Sequence, residues 1–243
     1  MKKAAFIIVL SIILLFSACS GDLEPVTVAS DTVEPVPSST EADAVSEATL
    51  ARYQENEIMD YQGIRLDPVI GPRDNSIKGV QYVDIDSYTL EILGLVDEPI
   101  SFTYDEILAM PSYEKVITLH CVEGWDATVL WKGVKIEDIL KEAGADFDAA
   151  TLIFVAADDY LTSMPLSTVL ERDMILAYEA NGNVLPPEMG YPFIVVAEDK
   201  LGYKWARWVT KMEVSNDEKF AGFWESNGFG NDAEVPDSRK DGN

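Results

Sequence analysis

Between Arg52 and Phe229 the apolar residues fall in short runs that switch between two spacings, and this switching narrows the possible folds more than any other feature. Tyr88-Thr-Leu-Glu-Ile-Leu alternates, which is the period of a half-buried strand. Thr103 followed by Glu106 forms a capping-box signature that opens a helix over Tyr104–Met110, and Pro111 stops it. Val116-Ile-Thr-Leu-His-Cys predicts a second strand ending at Cys121. Ile136, Ile139, Leu140 and Ala143 share one helix face, with Gly144 as the C-terminal cap. Thr151-Leu-Ile-Phe-Val-Ala-Ala reads as a buried strand. Asn181-Gly182 is a two-residue hairpin signal between Ile175–Tyr178 and Val184–Leu185. Phe193–Ala197 and Val209–Val214 complete the set. Strands and helices mix without a regular βαβ period, so the expectation is one α+β domain over residues 53–229.

The ends read differently. Met1-Lys2-Lys3 is a short positive segment, and Ala4 to Phe16 is an almost unbroken apolar stretch of 13 residues. That is too short for a membrane span, which takes about 20 residues, but it suits a signal peptide. Leu15-Phe16-Ser17-Ala18-Cys19 resembles a bacterial lipobox, so residues 1–19 are expected to be a lipoprotein signal with Cys19 lipidated. Residues 20–52 follow as an acidic tether. Seven acidic residues and no basic ones lie between Ser20 and Leu50, among Pro, Ser, Thr and Ala. Such a segment cannot bury enough apolar surface to offset its ordering entropy. Residues 230–243 are expected to be a loose polar tail. The predicted location is extracytoplasmic, with the lipid as the anchor.

Composition excludes several functions. The formal charge of −25 repels phosphate backbones, which argues against nucleic acid as a partner. Two cysteines and one histidine are too few for a structural zinc site, which needs about four such ligands. His120 and Cys121 are adjacent, and neighbouring side chains in a strand face opposite ways, so they do not make a nucleophile–base pair. No G-x-S-x-G elbow, G-x-G-x-x-G loop or Walker-type loop occurs.

Two segments carry more chemistry than scaffold. Cys121-Val122-Glu123-Gly124-Trp125 puts a thiol where a buried strand empties into a loop. It reads either as a site cysteine or as a small buried hydrophobe. Lys200 to Lys211 holds four of the chain's 18 basic residues. With Gly202 allowing close backbone approach, it reads either as an anion site or as a solvated strand edge that deters aggregation.

Taken together, Leu119-His-Cys-Val-Glu-Gly-Trp125, Trp131-Lys-Gly-Val134, Asp159-Tyr-Leu-Thr-Ser-Met-Pro-Leu166, Asn181-Gly182, Gly190-Tyr-Pro192 and Gly202-Tyr-Lys-Trp-Ala-Arg-Trp208 occur in an order that resembles the molybdopterin-binding domain of the sulfite oxidase family. The likeness is to prokaryotic single-domain members and runs from about Leu66 to Phe229. It implies a sulfite-oxidase-type fold of mixed sheets and short helices, and a molybdenum–molybdopterin cofactor with a single pterin. Cys121 would then be the thiolate ligand to molybdenum. Glu123 matches an acid beside the metal in some relatives, or else is a surface carboxylate. Trp205, Ala206 and Arg207 match a loop that contacts the pterin and its phosphate, with Lys204 assisting. Asn75 and Lys78 match a cofactor contact in the N-terminal approach. Tyr160 is as consistent with packing as with the site.

The implied reaction is a two-electron oxygen-atom transfer. Met189 and Ile194 stand where many relatives carry anion-binding residues, which argues against sulfite and for a small or protein-borne S- or N-oxide. No C-x-x-C-H haem motif occurs in the sequence, so electrons are expected to pass to a separate partner, a membrane cytochrome or a soluble carrier. Lys2-Lys3 in place of an arginine pair points to export as an unfolded chain. The alternative expectation is a non-enzymatic surface lipoprotein using the same fold as a binding module.

Overall fold

The computed structural model describes residues 51–69 and 76–240. The expected signal peptide, the lipobox Cys19, nearly all of the tether and Asn75 lie outside the described residues. A helical turn over residues 51–56 opens the described chain, and a small hairpin, β1 (Asp60–Tyr61) and β2 (Ile64–Arg65), follows it. One sheet contains β3 (Leu90–Gly94) and β4 (Ile100–Phe102), and the other contains β5 (Ser112–His120) and β6 (Asp126–Lys135). Then come β7 (Thr151–Ala156), β8 (Leu161–Pro165), β9 (Ile175–Ala180), β10 (Asn183–Val184), β11 (Ile194–Val196) and β12 (Val209–Ser215). The two larger sheets run β10-β9-β6-β5, with β11 also on β9, and β4-β3-β12-β7-β8. Only β3–β12 is parallel among these pairs. The fold is α+β, as the run pattern predicts.

Side chains from both sheets meet in one apolar core. Leu90, Ile92, Leu152, Phe154 and Met212 come from one sheet, and Val129, Trp131, Val134 and Leu176 from the other. β7 lies between β12 and β8 and is buried along nearly its whole length, which explains its continuous apolar run. The Asn181-Gly182 turn has both residues at positive φ, +46° and +81°, the conformation that suits a two-residue hairpin. Asn181 is also fully buried. Its Oδ1 accepts from the Leu130 N–H at 2.9 Å, and its Nδ2 donates to the Asp67 carbonyl at 2.9 Å. One turn residue thus ties the N-terminal approach to the sheet.

The helix Tyr104–Leu108 begins with the expected reciprocal cap. The Glu106 N–H donates to Thr103 Oγ1 at 3.3 Å, and the Thr103 N–H donates to Glu106 Oε2 at 2.8 Å. It stops two residues before Met110, because Ala109 already caps it. No helix among the described residues is long and apolar enough to cross a membrane.

The tail corrects an expectation. Rather than hanging loose after Phe229, residues 231–240 dock on the domain. The Leu201 N–H donates to the Ala233 carbonyl at 2.8 Å, and the Val235 N–H donates to the Asp199 carbonyl at 3.0 Å. Ala233 and Val235 are buried, and Lys200 pairs with Glu234 at 2.5 Å. The segment is polar in composition, yet its two small apolar residues sit at the positions that face the protein. That spacing is too sparse to register as a hydrophobic run.

Candidate active site

The β5–β6 register runs from Ser112↔Val134 to His120↔Asp126, which leaves Cys121–Trp125 as the connecting loop. The loop is closed by its own backbone. The Cys121 N–H donates to the Trp125 carbonyl at 2.9 Å, and the Gly124 N–H donates to the Cys121 carbonyl at 3.1 Å. Gly124 sits at φ +91°, a left-handed conformation that glycine adopts without a Cβ penalty. Cys121 is therefore the first residue beyond the strand, buried, and its side chain lines a cavity of about 380 Å³. His120 faces Asp126 instead, with Nδ1 and Asp126 Oδ1 2.7 Å apart. The two side chains are separated, as the strand argument requires.

A second loop meets the first through a bridge between His120 and Leu201. It carries the single turn Gly202–Lys204, whose residues Gly202 and Tyr203 line the same cavity, together with Trp205, Arg207 and Trp208 beyond it. A third wall comes from Asp158 and Tyr160 after β7, and a fourth from Trp224 and Phe229 near the C-terminus. Ser76 and Ile77 close the N-terminal side.

The electrostatics are lopsided. Arg207 is the one cation on the described cavity wall, facing two carboxylates, Glu123 and Asp158, and seven aromatic side chains. Glu123 Oε2 lies 3.9 Å from Cys121 Sγ and accepts from Trp125 Nε1 at 3.1 Å. Burial pushes the Tyr203 phenol up to about 12, helped by the Glu225 carboxylate, and raises Tyr160 further still. Both phenols stay neutral, and the Tyr160 hydroxyl donates to the Tyr203 carbonyl. Arg207 is set by its neighbours. Its Nη1 donates to the Glu188 carbonyl at 3.0 Å, and its Cβ lies where a Cβ on Gly190 would sit only 2.8 Å away. Gly190, at φ +105°, is thus required twice, for its backbone and for room.

The site expected from sequence is brought together in part. Cys121, Glu123, Trp205 and Arg207 line one cavity. Lys204 does not, which corrects its expected role. Its ammonium is fully buried and donates to the Ser163 carbonyl at 2.8 Å, to Asn231 Oδ1 at 2.9 Å and to the Glu225 carboxylate. Burial holds it below the usual lysine range. Ala206 is likewise buried behind the wall, its N–H on the Lys204 carbonyl and its carbonyl accepting from Val195. Lys78 is exposed and pairs with Asp159 at 2.5 Å. Of the four basic residues in the stretch considered as an anion site or a solvated strand edge, one is placed to meet an anion in the cavity. Lys200 and Lys204 are internal ion-pair partners, Lys211 pairs with Glu91, and Arg207 alone faces the cavity. Sequence reasoning missed Trp208, Trp224, Phe229 and Asp158. The aromatic density of Phe223-Trp224 and Phe229 was the available signal for the fourth wall.

The family described as oxidoreductase molybdopterin binding domain matches residues 77–224. The chain belongs to that family. The match spans every cavity wall except Ser76 and Phe229. This molybdopterin-binding oxidoreductase is 37% identical over 150 residues to the "putative protein-methionine-sulfoxide reductase subunit YedZ1" of Azospira oryzae, covering 62% of this chain and 57% of that one. It is 35% identical over 149 residues to the "uncharacterized oxidoreductase YuiH" of Bacillus subtilis, covering 61% and 75%. Mitochondrial sulfite oxidase of Homo sapiens is 27% identical over 172 residues, 57% of this chain and 32% of that one. Among solved structures, the sulfane dehydrogenase SoxCD from Paracoccus pantotrophus superposes with a TM-score of 0.55 at 26% identity, covering 57% of this chain and 41% of that one. The chain thus spans little more than half of the YedZ1 relative and well under half of the sulfite oxidase.

The cavity suits a molybdopterin. It offers one thiol for a soft metal, one guanidinium for a phosphate and flat aromatic walls for a pterin. No group of three or more His, Cys, Asp or Glu among the described residues is arranged to hold a metal ion. A donor set reduced to one protein thiolate matches a metal that arrives with its own dithiolene sulfurs.

Proposed function

We propose that this oxidoreductase catalyses the two-electron reduction of a neutral S- or N-oxide outside the cytoplasmic membrane, anchored by a lipid on Cys19. The observation that carries the substrate class is the cavity wall, which among the described residues has one cation against two carboxylates and seven aromatic rings. A sulfite dianion calls for several fixed positive charges. An S-oxide is neutral, and its apolar substituents suit aromatic walls. Met189 and Ile194 add no charge, and Ile194 is fully buried. The relative described as a putative protein-methionine-sulfoxide reductase subunit supports a sulfoxide, including one borne on a protein. The same description, naming a subunit, supports electron delivery by a separate carrier, for which a membrane cytochrome or a small soluble protein are the candidates.

In this reading Cys121 holds molybdenum through its thiolate, the form a soft metal prefers. The bound cofactor supplies the oxygen-atom transfer, in which an S-oxide, two electrons and two protons become a sulfide and water. The chain's own residues orient and enclose. Arg207 holds the phosphate end. Trp205 is fixed by its Nε1 donating to the Lys200 carbonyl at 3.0 Å and by its contact with Trp131, ring centres 5.5 Å apart. Glu123 keeps a carboxylate oxygen beside the thiol at the cavity, held there by the Trp125 Nε1 donor.

Molybdenum and pterin per polypeptide test the reading, measured on the wild type and on Cys121→Ser. About one of each is expected in the wild type and none in the variant. Loaded protein should then reduce methionine sulfoxide in preference to oxidising sulfite, and the opposite preference would overturn the substrate class.

A further inference from the structure

The docked tail ends on the loop that carries Cys121. Arg239, on the short helix Asp237–Lys240, donates from Nη1 to the Cys121 carbonyl at 2.9 Å and from Nη2 to the Trp125 carbonyl at 3.2 Å. Nη2 also meets Asp126 Oδ1, the atom that faces His120 Nδ1. One guanidinium therefore bridges both ends of the Cys121–Trp125 loop and the first residue of the returning strand. A planar fork with fixed donor directions is suited to this, and a lysine ammonium is not. The fork sits where it does because the tail is held just upstream, through Ala233 and Val235 and the Lys200–Glu234 pair.

We infer that Arg239 is a positioning residue that holds the Cys121 loop in its ligating shape. The inference rests on the reading of Cys121 as the metal ligand. It adds that the loop is locked from outside the family's own residues, since the match ends at residue 224. The short loop closes on itself by two backbone hydrogen bonds, and its own Val122 is about half exposed. Such a loop opens locally at modest cost, and a clamp across its ends lowers the open population. A thiol displaced by an ångström is a poor ligand, because site geometry must be held closely.

The test uses the full chain in two states. In metal-free protein, the alkylation rate of Cys121 is followed by peptide-resolved mass spectrometry for the wild type, Arg239→Gln and Arg239→Lys. Removing the fork should raise the rate about tenfold in Arg239→Gln, with Arg239→Lys well above wild type, while the midpoint of thermal unfolding moves little. In molybdenum-loaded protein the same variant should shift the thiolate-to-metal absorption band and lower kcat with KM nearly unchanged. An alkylation rate unchanged in Arg239→Gln would overturn the inference, as would a rise matched by general unfolding. A raised rate in Arg239→Gln, beside a wild-type chain that never retains molybdenum, would leave the clamp standing and sink the metal-ligand reading instead.

Discussion

Lys204 illustrates how a single residue can mislead from sequence. In the basic stretch it reads as a cofactor contact, yet its ammonium lies inside the protein among Ser163, Asn231 and Glu225. Glu225 accepts from Thr162 Oγ1 at 2.9 Å through the same oxygen that meets Lys204, while its other oxygen has no hydrogen-bond partner among the described residues. The pair pins the segment bearing Trp224 to the turn bearing Tyr203, so two cavity walls share one internal fastening. Removing one partner leaves an uncompensated buried charge. Lys204→Met should therefore destabilise the domain by about 3–5 kcal/mol, and the double variant Lys204→Met/Glu225→Leu by clearly less. Urea unfolding of the two variants checks both, and equal losses would contradict the pairing argument. Local sequence offers no way to distinguish this lysine from Arg207, three positions later. The difference lies in which way each side chain leaves the backbone, and neighbours distant in the chain decide that.

At the scale of elements, the strands and caps were readable because their causes are local. The Thr103–Glu106 box depends on two side chains three residues apart, and it forms as expected. Thr103→Ala should lower stability by about 1 kcal/mol, measured by denaturant midpoint at neutral pH. Hydrogen bonds from the Thr103 N–H and hydroxyl hold the Glu106 carboxyl below the usual carboxylate range. A lowered folded-state value means the contribution is present above the unfolded value, near 4.5, and fades as pH falls through the folded one. The gap between wild type and Thr103→Ala should accordingly narrow in acid. The Asn181-Gly182 hairpin was legible for the same local reason. What the hairpin's asparagine does beyond its turn, binding Leu130 and Asp67, was not, since those partners are 51 and 114 residues away.

For the molecule as a whole, the docked tail is the element that changes most between sequence and structure. Ending the chain after Gly230 would strip Ala233 and Val235 from the surface they cover. It would also remove Asn231 from Lys204, and Asp232 and Glu234 from the buried Lys200. A loss of at least about 2 kcal/mol is expected in urea unfolding, from the apolar burial and the abandoned hydrogen bonds together. A truncated chain as stable as the full one would show that the tail is not docked in solution. The sequence by itself determined the α+β class, the positions of most strands and the family likeness, and it offered Cys121 and Arg207 as candidates only. Each of these follows from periodicity, turn chemistry or an ordered series of motifs, all of which are properties of neighbouring residues. Only the tertiary structure decided which basic residue faces the cavity, that Trp224 and Phe229 complete its wall, and that Arg239 reaches the thiol loop. Those outcomes depend on contacts between segments far apart in the chain, and burial and charge pairing select them only once the two sheets have packed.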